Sequence, residues 1–109
     1  MASSTMPNSR RSRAWFGTLN NYTEADEEDI ANYFERECKW AICGREVGEE
    51  GTPHLQFAMT FKNARAFEAV TNAVSGYLGH TRTHLEATRC TAAAAKYCEK
   101  EGDFKEYGE

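Results

Sequence analysis

The segment His54-Leu55-Gln56-Phe57-Ala58-Met59-Thr60-Phe61 constrains the fold more than any other stretch of the chain. Polar and apolar side chains alternate through it. As a strand it sends Leu55, Phe57, Met59 and Phe61 to one face and His54, Gln56, Ala58 and Thr60 to the other. A helix of the same residues would sort nothing. A sheet with one apolar face has to be covered, and the neighbouring segments supply the covering helices.

Upstream, Ala14-Trp15-Phe16-Gly17-Thr18-Leu19-Asn20 is aromatic-rich and reads as a strand. Thr23 is a good N-cap, with Asp26 three residues on as its partner in a capping box. The helix that follows places Ile30 and Phe34 on one face. Trp40-Ala41-Ile42-Cys43 reads as a short buried strand running towards Glu46, and Val47–Pro53 as the loop to the strand above. Asn63 is the candidate cap of a second helix with Phe67, Val70 and Val74 at i, i+3, i+7. Thr81–Ala87 alternates as a strand, Thr91 can cap a last helix Ala92–Lys100, and Gly102 stops it. The order β-α-β-β-α-β-α predicts an α+β, ferredoxin-like (RRM-like) antiparallel sheet with helices on one face and an added C-terminal helix. With 109 residues and few large apolar side chains, one small core is available and a second is not. Residues 1–13 read as a flexible basic arm before a domain spanning 14–109.

Thirteen Lys+Arg against 17 Asp+Glu leave a net charge of −4, which taken alone argues against a nucleic-acid partner. The distribution argues otherwise. Seven acids lie between Glu24 and Glu37, where the helix dipole and a solvated face account for most of them. From Lys62 to Lys100 six cationic side chains face three acids, a local +3. That stretch is either an ordinary mixed surface or a track for phosphates, with Lys62, Arg65, Arg82, His84 and Lys96 as candidate contacts. No apolar run approaches the ~20 residues of a membrane span, and Met1–Arg13 has no secretory h-region. Cys38, Cys43, Cys90 and Cys98 match no zinc-site spacing and read as free thiols of a reducing compartment.

Two residue groups suggest chemistry. His54 and Gln56 project from one strand face, and a hairpin would bring Glu46 beside them. Together they make a mixed oxygen and nitrogen donor set suited to Mg²⁺ or Mn²⁺, or else a solvated sheet face that happens to carry them. Tyr97 and Lys100, three apart on the last helix, can face one side. Tyr97 is either a packing residue or a nucleophile. A phenol, with an ordinary pKa of ~10, needs help to attack, and a nearby metal and lysine would favour its phenolate.

Three ordered segments, Phe16-Gly17-Thr18-Leu19-Asn20-Asn21, Gly51-Thr52-Pro53-His54-Leu55-Gln56 and Tyr97-Cys98-Glu99-Lys100, resemble the motifs of rolling-circle replication initiator endonucleases. These form the HUH superfamily, and Gly44-Arg45-Glu46 upstream of the second motif is similar to the circovirus-like Rep branch. The resemblance implies metal ligation by Glu46, His54 and Gln56, with Mg²⁺ or Mn²⁺ as cofactor. It implies Tyr97 as the single nucleophile on single-stranded origin DNA in a hairpin loop, giving a 5′-phosphotyrosine and a free 3′-OH. The step reverses to join ends. Lys100 would orient phosphate, and Asn20 and Asn21 would help hold DNA; Arg13 belongs to a basic arm that suits DNA contact or nuclear import. Also implied are a helicase domain in the full-length protein, the host nucleus as location, and duplex repeats beside the origin as a further partner. The chain departs from the pattern twice: where many family members have Phe-Thr-Leu-Asn-Asn, Gly17 follows Phe16, either as an inserted residue or in place of an aromatic, and Gln56 stands at the second His of the superfamily's namesake pair. No P-loop is present, so no ATPase activity is expected of this chain. The competing expectations are a non-catalytic RRM-like nucleic-acid-binding module and a structural or regulatory α+β protein.

Overall fold

The computed structural model describes residues 11–48, 50–89 and 91–108. Along the chain run β1 (Arg11–Asn20), α1 (Glu24–Glu37), β2 (Trp40–Val47), β3 (Pro53–Ala66), α2 (Phe67–Leu78), β4 (His84–Ala87), α3 (Thr91–Glu99) and β5 (Phe104–Gly108). The strands form one sheet in the order β4-β1-β3-β2-β5, every neighbouring pair antiparallel. The first four strands follow the ferredoxin-like plan; β5 extends it at the β2 edge.

The alternation in β3 does what its sequence dictates. Leu55, Phe57 and Met59 are fully buried, and with Trp15, Leu19, Ala41 and Cys43 they pack under Ile30, Tyr33 and Phe34 of α1 and Val70, Val74 and Leu78 of α2. Each such large side chain contributes roughly 1.5–3 kcal/mol. The Thr23 hydroxyl accepts from the Asp26 N–H at 3.0 Å and the Asp26 carboxylate accepts from the Thr23 N–H at 3.1 Å, a complete capping box. Gly17 earns its place by close approach: a Cβ there would fall inside contact distance of the Phe57 ring. The apparent departure in the first motif is thus the space that lets a phenylalanine lie flat beneath β1.

Opposite the main core, α3 crosses the other sheet face. Ile42 and Ala58 from the sheet and Ala94 and Cys98 from α3 form a second, small cluster, with Phe16 and Trp40 at its margin. Gly44 permits this contact, since a Cβ would meet the backbone carbonyl of Cys98.

Several local expectations change. Order begins before Ala14: Arg11 and Ser12 already pair with Ala66 and Arg65, so the arm expected through Arg13 overlaps β1, and its residues 1–10 lie outside those described. The same pairing keeps β3 extended as far as Ala66. Asn63 therefore sits in the strand, and α2 starts at Phe67 with Ala66 at its N-cap and no side-chain cap bond. The strand expected over Thr81–Ala87 is confined to His84–Ala87. β5 was not expected at all. Cys38, Cys43 and Cys98 are free thiols, while Cys90 lies outside the described residues. No helix among the described residues is long and apolar enough to cross a membrane.

Candidate active site

Strand register builds the site in rows across the face that α3 crosses. Glu46, His54 and Asn20 are register partners in one row; Gly44, Gln56, Thr18 and His84 form the next; Ile42, Ala58, Phe16 and Glu86 the third. Side chains in register on neighbouring strands share a face. The expected ligand set is therefore contiguous: Glu46 is beside His54, and Gln56 is one row along.

His54 Nε2 and Glu46 Oε1 are 2.9 Å apart, with both side chains largely buried. Thr18 donates its hydroxyl to Gln56 Oε1 at 3.2 Å, which orients the amide. From above, Lys100 Nζ lies 3.5 Å from Glu46 Oε1 and 4.0 Å from the centroid of the Tyr97 ring. Tyr97 packs edge-on to Phe16, with centroids 5.8 Å apart, and is 45% exposed. So the two groups that sequence spacing suggested separately meet through Lys100. Its ammonium is held above the ordinary lysine range, first by the Tyr97 hydroxyl and then by the charge of Glu46, so it stays cationic at any physiological pH. The neighbouring thiol of Cys98 is pushed up to about 12 by burial and by Glu46 and Glu99, which keeps it protonated and out of the chemistry.

One atom tests whether a divalent cation suits these residues. Glu46 Oε2 is buried and has no hydrogen-bond partner among the described residues, an arrangement that costs free energy unless something positive completes it. The available donors are a carboxylate, an imidazole and an amide oxygen, which fit Mg²⁺ or Mn²⁺. A divalent cation would be held by Glu46, His54 and Gln56, and would supply the positive charge that this carboxylate otherwise takes from its neighbours.

The expected DNA contacts divide by position. Asn20 and His84 lie on the site face, and Lys96 is exposed on α3 next to Tyr97. Asn21 adopts a left-handed conformation (φ 54°), its N–H donating to Pro53 O at 2.8 Å and tying the end of β1 to the start of β3. Arg82 is not a free cation. It donates to Asn20 O at 3.1 Å and to Asp26 Oδ2 at 3.2 Å, while His80 Nε2 lies 2.9 Å from Asp26 Oδ1. Burial disfavours ionisation of Asp26, yet the bonds from His80 and Thr23 and the charge of Arg82 outweigh it and leave its pKa lowered. Lys62 and Arg65 stand at the far end of β3, eight or more residues along from His54, which at ~3.3 Å per residue is well beyond reach of Tyr97. Arg65 there pairs with Glu37 at 3.5 Å and lies over Phe61. Arg13, exposed in β1, shares that far end with Lys39 and Trp40. The sequence reading assigned no role to Thr18 or Phe16; their parity with Asn20 on β1 was the available signal. Nothing local marked Asp26 as the partner of His80 and Arg82, more than 50 residues away.

A sequence model of the family described as "Putative viral replication protein" matches residues 12–101. The chain belongs to this family. Relatives include the replication-associated protein of beak and feather disease virus, 40% identical over 92 residues that cover 84% of this chain and 30% of the relative. That of canary circovirus is 37% identical over the same length, with the same coverage. That of human associated cyclovirus 1 is 29% identical over 106 residues, 95% of this chain and 36% of the relative. The chain thus spans about a third of the length of these relatives. The family match takes in every residue of the site from Phe16 to Lys100 and leaves β5 outside it.

Proposed function

We propose that this viral replication protein is a metal-dependent, site-specific single-stranded DNA endonuclease and strand-transferase that nicks a replication-origin hairpin loop through Tyr97. The observation that carries the reading is the convergence of an exposed Tyr97 and a cationic Lys100 on the buried, half-satisfied carboxylate of Glu46 beside His54 and Gln56. A tyrosine serving only to pack would have no need of a lysine poised over its ring.

Glu46, His54 and Gln56 would hold a divalent cation, whose chemistry is to polarise a phosphate oxygen and offset charge as phosphorus gains a fifth oxygen. The chain's own groups do the rest. Phe16 fixes the Tyr97 ring edge-on. Lys100, beside the hydroxyl, compensates the negative charge that builds on the phenolic oxygen as its proton leaves. That oxygen forms a bond to phosphorus while the bond from phosphorus to the 3′-oxygen breaks; the 3′-oxygen takes a proton and departs as a free 3′-OH. The 5′-phosphotyrosine retains an ester equal in number of bonds, so attack by a 3′-OH reverses the step and joins strands. Lys96, His84 and Asn20, around the same face, suit the strand's phosphates and sugars. Non-specific binding by these few contacts is expected to be weak and salt-sensitive. Initiation of viral rolling-circle replication in the host nucleus is the process this activity serves.

The RRM-like alternative requires an open sheet face on which bases stack. Here α3 lies over Ile42 and Ala58 at the centre of that face, which favours the catalytic reading. The test is a labelled hairpin-loop single-stranded DNA incubated with Mn²⁺ or chelator and run on a denaturing gel. A covalent protein–DNA band that needs metal and disappears in Tyr97→Phe is expected. Cleavage by Tyr97→Phe equal to the parent's would refute the mechanism.

A further inference from the structure

Glu46 is the one carboxylate in the expected ligand set, and its two oxygens differ in standing. Oε1 already faces His54 Nε2 at 2.9 Å and Lys100 Nζ at 3.5 Å. Oε2 is buried with no hydrogen-bond partner among the described residues. The Glu46 side chain is 5% exposed, so little water is at hand to screen its charge. Lys100 is kept over it by Tyr97, whose ring centroid lies 4.0 Å from Nζ and whose hydroxyl engages the ammonium.

A divalent cation taken up by Glu46, His54 and Gln56 therefore shares its only negative ligand with an ammonium. His54 and Gln56 ligate as neutral groups. Two charges on the cation and one on Lys100 stand against one on Glu46, a surplus of two. Other carboxylates are poorly placed to offset it. Glu86 and Glu106, which strand parity puts on the same face, are in register with Ile42, four residues along β2 from Glu46. At ~3.3 Å per residue that is roughly 13 Å, beyond the screening length of physiological salt. Glu99, next to Lys100 in sequence, is exposed to solvent.

We infer that Lys100 competes with the divalent cation for Glu46, so that the site takes up metal about tenfold more weakly than its three ligands alone would. That figure is the repulsion of a dication and an ammonium on one carboxylate at the dielectric of water, the fitting limit for a lysine side chain 39% exposed. The inference rests on the reading of Glu46, His54 and Gln56 as ligands and of Tyr97 as nucleophile. It goes further by giving Lys100 a second effect opposed to its first. The charge that favours the phenolate weakens the metal. The surplus of two equals the negative charge the reaction brings, one from the phosphodiester and one from the phenolic oxygen.

Titration calorimetry with Mn²⁺ alone reads this on the whole chain, without DNA or turnover. Lys100→Met is close in length, uncharged, and ends in a soft thioether that is a poor ligand for Mn²⁺. It should bind Mn²⁺ about tenfold more tightly than the parent, while Lys100→Arg, which keeps the charge, stays within about threefold of the parent. Glu46→Gln added to Lys100→Met should take away about tenfold or more, which locates the gain at this carboxylate. Parent-like or weaker Mn²⁺ affinity in Lys100→Met overturns the competition, and so does a gain that survives Glu46→Gln. If neither the parent nor Lys100→Met binds Mn²⁺ at all, the metal reading beneath it falls instead.

Discussion

Gly44→Ala tests whether the seat of α3 sets the catalytic geometry. The added methyl would fall within van der Waals contact of the Cys98 carbonyl oxygen and 3.0 Å from its carbonyl carbon, both backbone atoms that cannot rotate away. An ordinary carbon–oxygen contact is about 3.3–3.6 Å, so the last turn of α3 must rise from the sheet by on the order of 1 Å. Tyr97 precedes Cys98 and Lys100 follows it closely, so both move with the lifted turn. Glu46, His54 and Gln56, held by the strand ladder, do not. Overpacking of this kind costs about 1–3 kcal/mol, and a 1 Å misplacement of a reacting group costs about 10²-fold in rate. The expected result is a fall of roughly 100-fold in single-turnover adduct formation and a loss of several degrees in Tm, with Mn²⁺ affinity by calorimetry changed less than about threefold. Parent-like adduct formation at parent stability would refute the argument. Loss of Mn²⁺ affinity in step with rate would refute it too, because the nucleophile and the ligand set would then not be separately supported.

The remaining expectations concern the charged groups. Glu46→Gln and Gln56→Ala should each weaken Mn²⁺ binding by about tenfold or more in calorimetry while Tyr97→Phe leaves it unchanged; equal affinities would remove those side chains from the ligand set. Lys100→Gln should slow adduct formation by about 10²-fold with no change in Tm, its side chain being exposed, and Lys100→Arg should recover part of the loss; an unaltered rate sinks the role given to this cation. Asp26→Asn removes the charge that caps α1 and holds His80 and Arg82, at a cost of about 2 kcal/mol near neutral pH. Because the folded pKa of Asp26 lies below the ordinary 3.8, that stability is present above this value and lost as pH falls through it towards the folded pKa. Melts should therefore show a gap between parent and variant at pH 6 that narrows as the solution is acidified below 3.8 and on through the lowered folded pKa; a constant gap contradicts the assignment.

What the sequence made legible was what depends on local order. The alternation in β3 placed Leu55, Phe57 and Met59 in the core and His54 and Gln56 opposite them. Thr23 and Asp26 announced the start of α1, and three short motifs marked the residues that gather around Lys100. Non-local pairing was less legible. β5 carries Phe-Lys-Glu-Tyr with mostly exposed side chains, so no hydrophobic pattern distinguishes it; it exists because its backbone pairs with β2, and any sequence free of proline can do that. The extension of β3 to Ala66 has the same origin, and it moved the start of α2 beyond Asn63. Charge counts along Lys62–Lys100 could not say that Lys62 and Arg65 sit at one end of the sheet and Lys96 and Lys100 at the other. Arg82 looked like a phosphate ligand until the fold brought Asp26 to it.

β5 also decides how force reaches Tyr97. Beyond Glu99 the chain turns at Gly102 (φ 81°), and Arg45 N–H donates to Asp103 O at 2.8 Å just before β5 joins β2 over five register pairs. The helix bearing Tyr97 is consequently a beam pinned at both ends to one sheet, by β4 and its loop before it and by β5 after it. Tension applied along the strand past Gly108 would load the β2–β5 ladder in shear, all its hydrogen bonds at once, and would be absorbed there. Tyr97 is mechanically insulated from a load applied on that side.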